Sequence, residues 1–102
     1  MIMLRILYRW RIHPGMEKDF AEAWEAVTRH YLEHHNSKGS RLHVGDDGLF
    51  YAYAQWPDAS ARQRAFAADD AMLEPYREKM RAAIAERFPE VELETVTDHI
   101  EH

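Results

Sequence analysis

A change of period divides the opening third of the chain. Ile2, Leu4, Ile6, Tyr8, Trp10 and Ile12 fall on one side, and Met3, Arg5, Leu7, Arg9, Arg11 and His13 on the other. That period of two predicts a long strand over Met1 to His13 with one apolar face. Pro14-Gly15 ends it. Met16, Phe20, Trp24, Val27 and Tyr31 then recur at steps of four, four, three and four, one stripe along a helix. Glu17 and Asp19 in its first turn, and His30, His34 and His35 in its last, match the helix dipole at both ends.

After the turn-rich stretch Asn36 to Ser40, two short strands are expected, Arg41 to Val44 and Leu49 to Trp56. Gly45-Asp46-Asp47-Gly48 between them carries hairpin chemistry. Pro57-Asp58 stops the second strand, and Asp58 or Ser60 can cap a helix over about Ala59 to Ala67. Asp69 or Asp70 can cap another, with Pro75 in its first turn. There Leu73, Tyr76, Met80, Ile84 and Phe88 repeat at helical spacing and Pro89 terminates. Val91 to Thr97 alternates again, as a closing strand.

Strand, helix, strand, strand, helix, strand is the order of a ferredoxin-like α+β domain with a four-stranded antiparallel sheet. In the usual spatial order, 4-1-3-2, the last strand lies antiparallel beside the first. Arg5, Arg9 and Arg11 would then face Glu92, Glu94 and Asp98, each pair favouring the register by a few tenths to about 1 kcal/mol. The 102 residues are expected to form one domain, residues 1–102.

Composition limits the function. A net charge of −5 argues against nucleic acid as a partner. RNA-recognition modules share this element order, but Asp47 to Ala54 lacks their basic residue and Gly-Phe-Val core. No apolar stretch approaches the ~18 residues of a membrane span. Arg5, Arg9 and Arg11 interrupt any signal-peptide core. Without cysteine there is no disulfide, thiolate metal site or cysteine nucleophile. The expected location is cytoplasmic. Leu49 to Trp56 is apolar on both sides, Phe50, Ala52, Ala54 and Trp56 on one and Leu49, Tyr51, Tyr53 and Gln55 on the other, so both faces require cover. Met3 and Leu7 extend the second face. A homodimer packed sheet against sheet is the inference.

Three stretches carry a family resemblance: Ile12-His13-Pro14-Gly15-Met16-Glu17, Gly39-Ser40-Arg41-Leu42, and Tyr53-Ala54-Gln55-Trp56-Pro57-Asp58. With the element order, they make the chain, over about residues 2 to 100, resemble the antibiotic biosynthesis monooxygenase family of the dimeric α+β barrel superfamily. The resemblance implies a cavity between sheet and helices that binds a flat aromatic or quinol-like molecule. It also implies oxidation by molecular oxygen without metal or flavin, since an electron-rich phenolate or carbanion can pass an electron to oxygen itself. No cofactor is expected. A haem-degrading group of the superfamily uses an Asn, a Trp and a His. The matching places here hold Tyr8, Phe66 or Ala65, and Pro75 or Tyr76, so that chemistry is not expected. A non-catalytic ligand-binding dimer or an isomerase of the same superfamily is the alternative.

Tyr8, Trp10, Trp24, Tyr31, Trp56, Phe66 and Tyr76 are expected to face the interior and bind substrate. Aromatics at regular spacing usually pack a core, yet buried Tyr and Trp need partners for their polar atoms. Tyr8, Trp56 and Tyr76 are the catalytic candidates, as donors to a substrate oxygen. His30 and His34 lie four apart beside Glu33, but no third ligand is identifiable, so no metal site is assigned. His13 follows the arginine side of the first strand, and the side of His43 is undetermined.

Overall fold

The computed structural model describes residues 3–100; the start of the first strand, Met1 and Ile2, lies outside the described residues. The elements are β1 (Leu4–Ile12), α1 (Glu17–His34), β2 (Ser40–Val44), β3 (Phe50–Trp56), α2 (Ala59–Ala67), a 3-10 turn (Ala71–Leu73), α3 (Glu74–Ala83), β4 (Ile84–Arg87) and β5 (Val91–Leu93). All pairings are antiparallel, in the order β2-β3-β1-β4, with β5 also on β1. The ferredoxin-like α+β expectation holds, and so does 4-1-3-2, but the fourth position is shared by two strands.

That split overturns the expected helix to Phe88. The helix stops at Ala83, and Ile84 to Arg87 extends along β1, with Ile84 opposite Ile12 and Glu86 opposite Arg11. Ala83, fully buried, accepts through its carbonyl from the His13 N–H at 2.8 Å. Ile84 thus continues the apolar surface as a strand residue, which its β-branched side chain favours. Pro89, without an N–H, interrupts the ladder and separates β4 from β5.

The charge pairing expected across the closing strand is also corrected. Leu93 lies opposite Arg5, Glu92 opposite Ile6 and Val91 opposite Leu7, which places Glu92 on the other side of the sheet from the arginines. The strand ends at Leu93, so Glu94 and Asp98 have left the ladder. Arg11 pairs with Glu86 instead. Arg9 donates to the Pro89 carbonyl at 3.3 Å and lies over the Phe88 ring.

One buried cluster joins Trp10 and Ile12 of β1, Phe20 of α1, Ala52 of β3 and Ala83 of α3. A second joins Trp56 with Ala61 and Ala65 of α2, and Leu4 and Tyr31 pack against it. Of the two proposed caps for α2, Asp58 takes the role, its carboxylate accepting from the Ala61 N–H at 2.7 Å. Asp58→Ala is expected to cost about 1 kcal/mol in urea unfolding, and Asp58→Asn a fraction of that. Neither Asp69 nor Asp70 caps the next helical segment with its side chain: the 3-10 turn follows Asp70 directly, and Leu73 precedes α3.

Candidate functional site

Between the two clusters the inner sheet face, α1 and α3 leave a cavity of about 340 Å³. That volume suits a small ligand. Trp10 belongs to one cluster and Trp56 to the other, and both line it. Tyr8, Trp24, Tyr31 and Phe66 complete the aromatic wall. The alternation of β1 brings Tyr8 and Trp10 to the same face, their rings parallel at 5.7 Å. Tyr31, at the end of the α1 stripe, packs against Trp56 at 5.8 Å and Phe66 at 5.6 Å. Phe66 is 47% exposed and marks the opening.

Tyr76 is the exception: it is 43% exposed and lies outside this wall. α3 turns Arg77, Met80 and Arg81 toward the cavity, so that of the expected stripe Met80 faces it and Tyr76 does not. His13 and His43 are exposed, and neither lines the cavity.

Arginines outside the expected site residues supply the polar groups, with Arg62 behind the wall and Arg77, Arg81 and Arg87 in it. Arg62 of α2 donates from Nε to the Tyr8 hydroxyl at 3.1 Å and from Nη2 to Glu90 at 2.7 Å. Its guanidinium lies 4.8 Å from the Phe66 ring centre and 5.7 Å from that of Tyr8. Arg77 donates to the Tyr31 hydroxyl, also at 3.1 Å. Arg81 and Arg87 line the same space. Each phenol oxygen thus accepts from an arginine, leaving its own proton for another acceptor, and such polarisation strengthens the O–H as a donor. One signal was available for Arg77 and Arg81: they follow the buried Leu73 at steps of four. Nothing in the sequence singles out Arg62.

Burial pushes the Tyr8 phenol above its ordinary value of 10.0, and the Arg62 guanidinium only partly opposes it. Tyr8 is therefore a neutral donor at physiological pH. Because the folded value is the higher one, its contribution to stability is complete below the ordinary value and is lost as pH rises through the raised one. The hydrogen bond to Asp47 likewise raises Tyr51. Of the 5 tyrosines, these two are expected to ionise late in a tyrosinate absorbance titration, and Tyr8→Phe should remove one late step.

Among the described lining residues there is no carboxylate and no imidazole. The lining arginines bring positive charge to the cavity, Arg81 being paired with Glu74 at 2.6 Å, and no strong base lines it.

An aromatic cavity bordered by arginines on a ferredoxin-like sheet defines the class of architecture. No protein-family model matches the sequence, and no curated protein matches it. Solved structures do match in fold. SnoaB, a cofactor-independent oxygenase from Streptomyces nogalater, is 16% identical with a TM-score of 0.79, over 99% of this chain and 100% of that one. A candidate antibiotic biosynthesis monooxygenase from Bordetella bronchiseptica is 16% identical with a TM-score of 0.77, over 95% and 100%. Another from Caulobacter crescentus is 11% identical with a TM-score of 0.78, over 93% and 91%. The fold of this chain is that of the antibiotic biosynthesis monooxygenase structures.

Proposed function

We propose that the chain is a cofactor-independent monooxygenase that binds a small, acidic, flat aromatic such as a quinol, naphthol or anthrone. The observation that carries the reading is the pair of arginine-backed phenols, Tyr8–Arg62 and Tyr31–Arg77, in an aromatic cavity. Stacking aromatics hold the ring of the substrate. The two O–H donors, with Arg81 and Arg87, lower the cost of ionising it, and its proton passes to water at the mouth. An anthrone carbanion passes one electron to oxygen, and the resulting radical and superoxide join in a C–O bond. The peroxide then loses water to leave a carbonyl. The balance is one CH₂ and one O₂ to one C=O and one H₂O. The fold neighbours support the reading, SnoaB being an oxygenase that works without a cofactor.

The proposal includes a cytoplasmic homodimer. On the outer face of the sheet Leu7, Tyr53 and Val91 lie in one row and Arg5, Gln55 and Leu93 in the next. Val91 and Leu93 are each 38% exposed, and residues 94 to 100 stand beside this face with Val96 and Ile100 open to solvent. A second copy of the same surface would cover these side chains. Sedimentation equilibrium at micromolar concentration is expected to give twice the 12.1 kDa chain mass. Single chains only would refute this part.

Oxygen uptake by metal-free protein with a panel of anthrones, naphthols and quinols tests the activity. Stoichiometric uptake with a carbonyl product supports it. Ligand binding, seen as tryptophan quenching, without uptake or isomerisation would leave the binding-protein alternative, and substrate rearrangement without uptake the isomerase.

A further inference from the structure

We propose that His30, His35 and Asp70 form a binding site for a divalent transition-metal ion of the zinc class, separate from the aromatic cavity. The three side chains come from two places in the chain: His30 in the last turns of α1 with His35 just after it, and Asp70 just before the 3-10 turn. Their ligand atoms all lie within 4.8 Å of one another. His35 Nε2 stands 2.8 Å from one Asp70 carboxylate oxygen, and His30 Nε2 stands 3.3 Å from the other. The side chains are only 12%, 21% and 16% exposed for His30, His35 and Asp70.

His30 supplies the second argument. Its Nε2 is buried, and the Asp70 oxygen 3.3 Å away does not meet it with hydrogen-bond geometry. A buried polar atom without a partner is uncommon and costs free energy. A metal ion between the two imidazoles and the carboxylate would supply that partner. Two imidazole nitrogens and one carboxylate oxygen are a recognised zinc set, with a further position left for water. The His34 ring, 4.6 Å from that of His30, adds a third imidazole to the neighbourhood.

Asp70, forty residues along the chain from His30, supplies the third ligand that the local sequence around the histidines does not contain. The bound ion would fasten the end of α1 to the segment that leads into α3. Tyr31 is the shared neighbour: its ring packs on His35 at 5.9 Å while its hydroxyl faces Arg77. The ion's role is to hold this junction, and the proposal does not depend on the oxygenase reading.

Isothermal titration of zinc chloride into untagged, chelator-stripped full-length protein at neutral pH tests it. The expected result is one equivalent bound at micromolar affinity or tighter, with Co(II) giving the visible bands of a low-coordinate site. His35→Gln and Asp70→Asn should each weaken binding by about tenfold or more. His99→Ala should leave it unchanged, since His99 stands away on the C-terminal segment. Circular dichroism verifies that the variants fold. Absence of saturable binding to the wild-type protein below millimolar zinc would overturn the proposal, whatever the variants do. Equal binding by folded His35→Gln and Asp70→Asn proteins would overturn it as well.

Discussion

Tyr8→Phe is expected to lower kcat/KM for oxygen uptake by about a hundredfold or more, with the fold intact. The scale is that of removing one donor from a preorganised anion-binding site, about 10²–10³ in rate. Only an oxygen atom is lost, and the Phe ring still stacks on Trp10. What disappears is the proton that Tyr8 presents to a substrate oxygen while Arg62 occupies its lone pair. Because binding also uses the ring surfaces, most of the loss should fall on kcat. Tyr31→Phe should cause a smaller loss of the same kind. The double variant should lose less than the sum of the two free-energy costs if both phenols hold the same oxygen. A Tyr8→Phe protein with unchanged kcat would remove Tyr8 from the reaction.

Phe20→Ala is expected to destabilise the protein by about 3–5 kcal/mol. Phe20 is fully buried at the point where α1 meets the sheet. It makes edge contacts with Trp10 at 5.2 Å and Phe50 at 5.6 Å, which bind β1, β3 and α1 together. Neither indole nor phenyl can collapse into the space without leaving its other partners. Against a total of about 5–15 kcal/mol for a domain of this size, that loss removes a large share. Urea unfolding followed by tryptophan fluorescence gives the number. A cost near 1 kcal/mol would mean that the cluster repacks freely.

The skeleton of the fold was legible because its periods are clean. The alternation from Leu4 to Ile12 and the stripe from Met16 to Tyr31 became β1 and α1, and Ala59 to Ala67 became α2. The end of α3 was not legible. Ile84 and Phe88 continue a helical spacing, and only the pairing of Ile84 with Ile12 across the chain makes that stretch a strand. Long-range pairing of this sort leaves no mark in a local window. The element order implies the fourth strand position, but Pro89, a helix stop by local rules, instead breaks that strand in two.

The cavity wall divides in the same way. Aromatics at regular spacing identified Tyr8, Trp10, Trp24, Tyr31, Trp56 and Phe66 as inward residues, and all six line the space. Tyr76 was placed inward because apolar residues were given the inner face of α3, whereas Arg77 and Arg81 take it. An arginine facing inward contradicts the ordinary polar-outward pattern, and only the phenol of Tyr31 across the gap explains Arg77. Asp70, a helix-cap candidate by local rules, is a similar case. Its histidine partners are remote in sequence, and proximity in space is what diverts its carboxylate.

An oxygenase of the proposed kind must bind an acidic aromatic as its anion. Strictly anaerobic absorbance titration of an anthrone into the metal-free protein at neutral pH measures this directly, since the neutral and ionised forms differ in colour. The visible band of the ionised form is expected to grow with binding and to be much reduced in the Tyr8→Phe, Tyr31→Phe double variant. A saturated complex whose ligand keeps the neutral spectrum would contradict it.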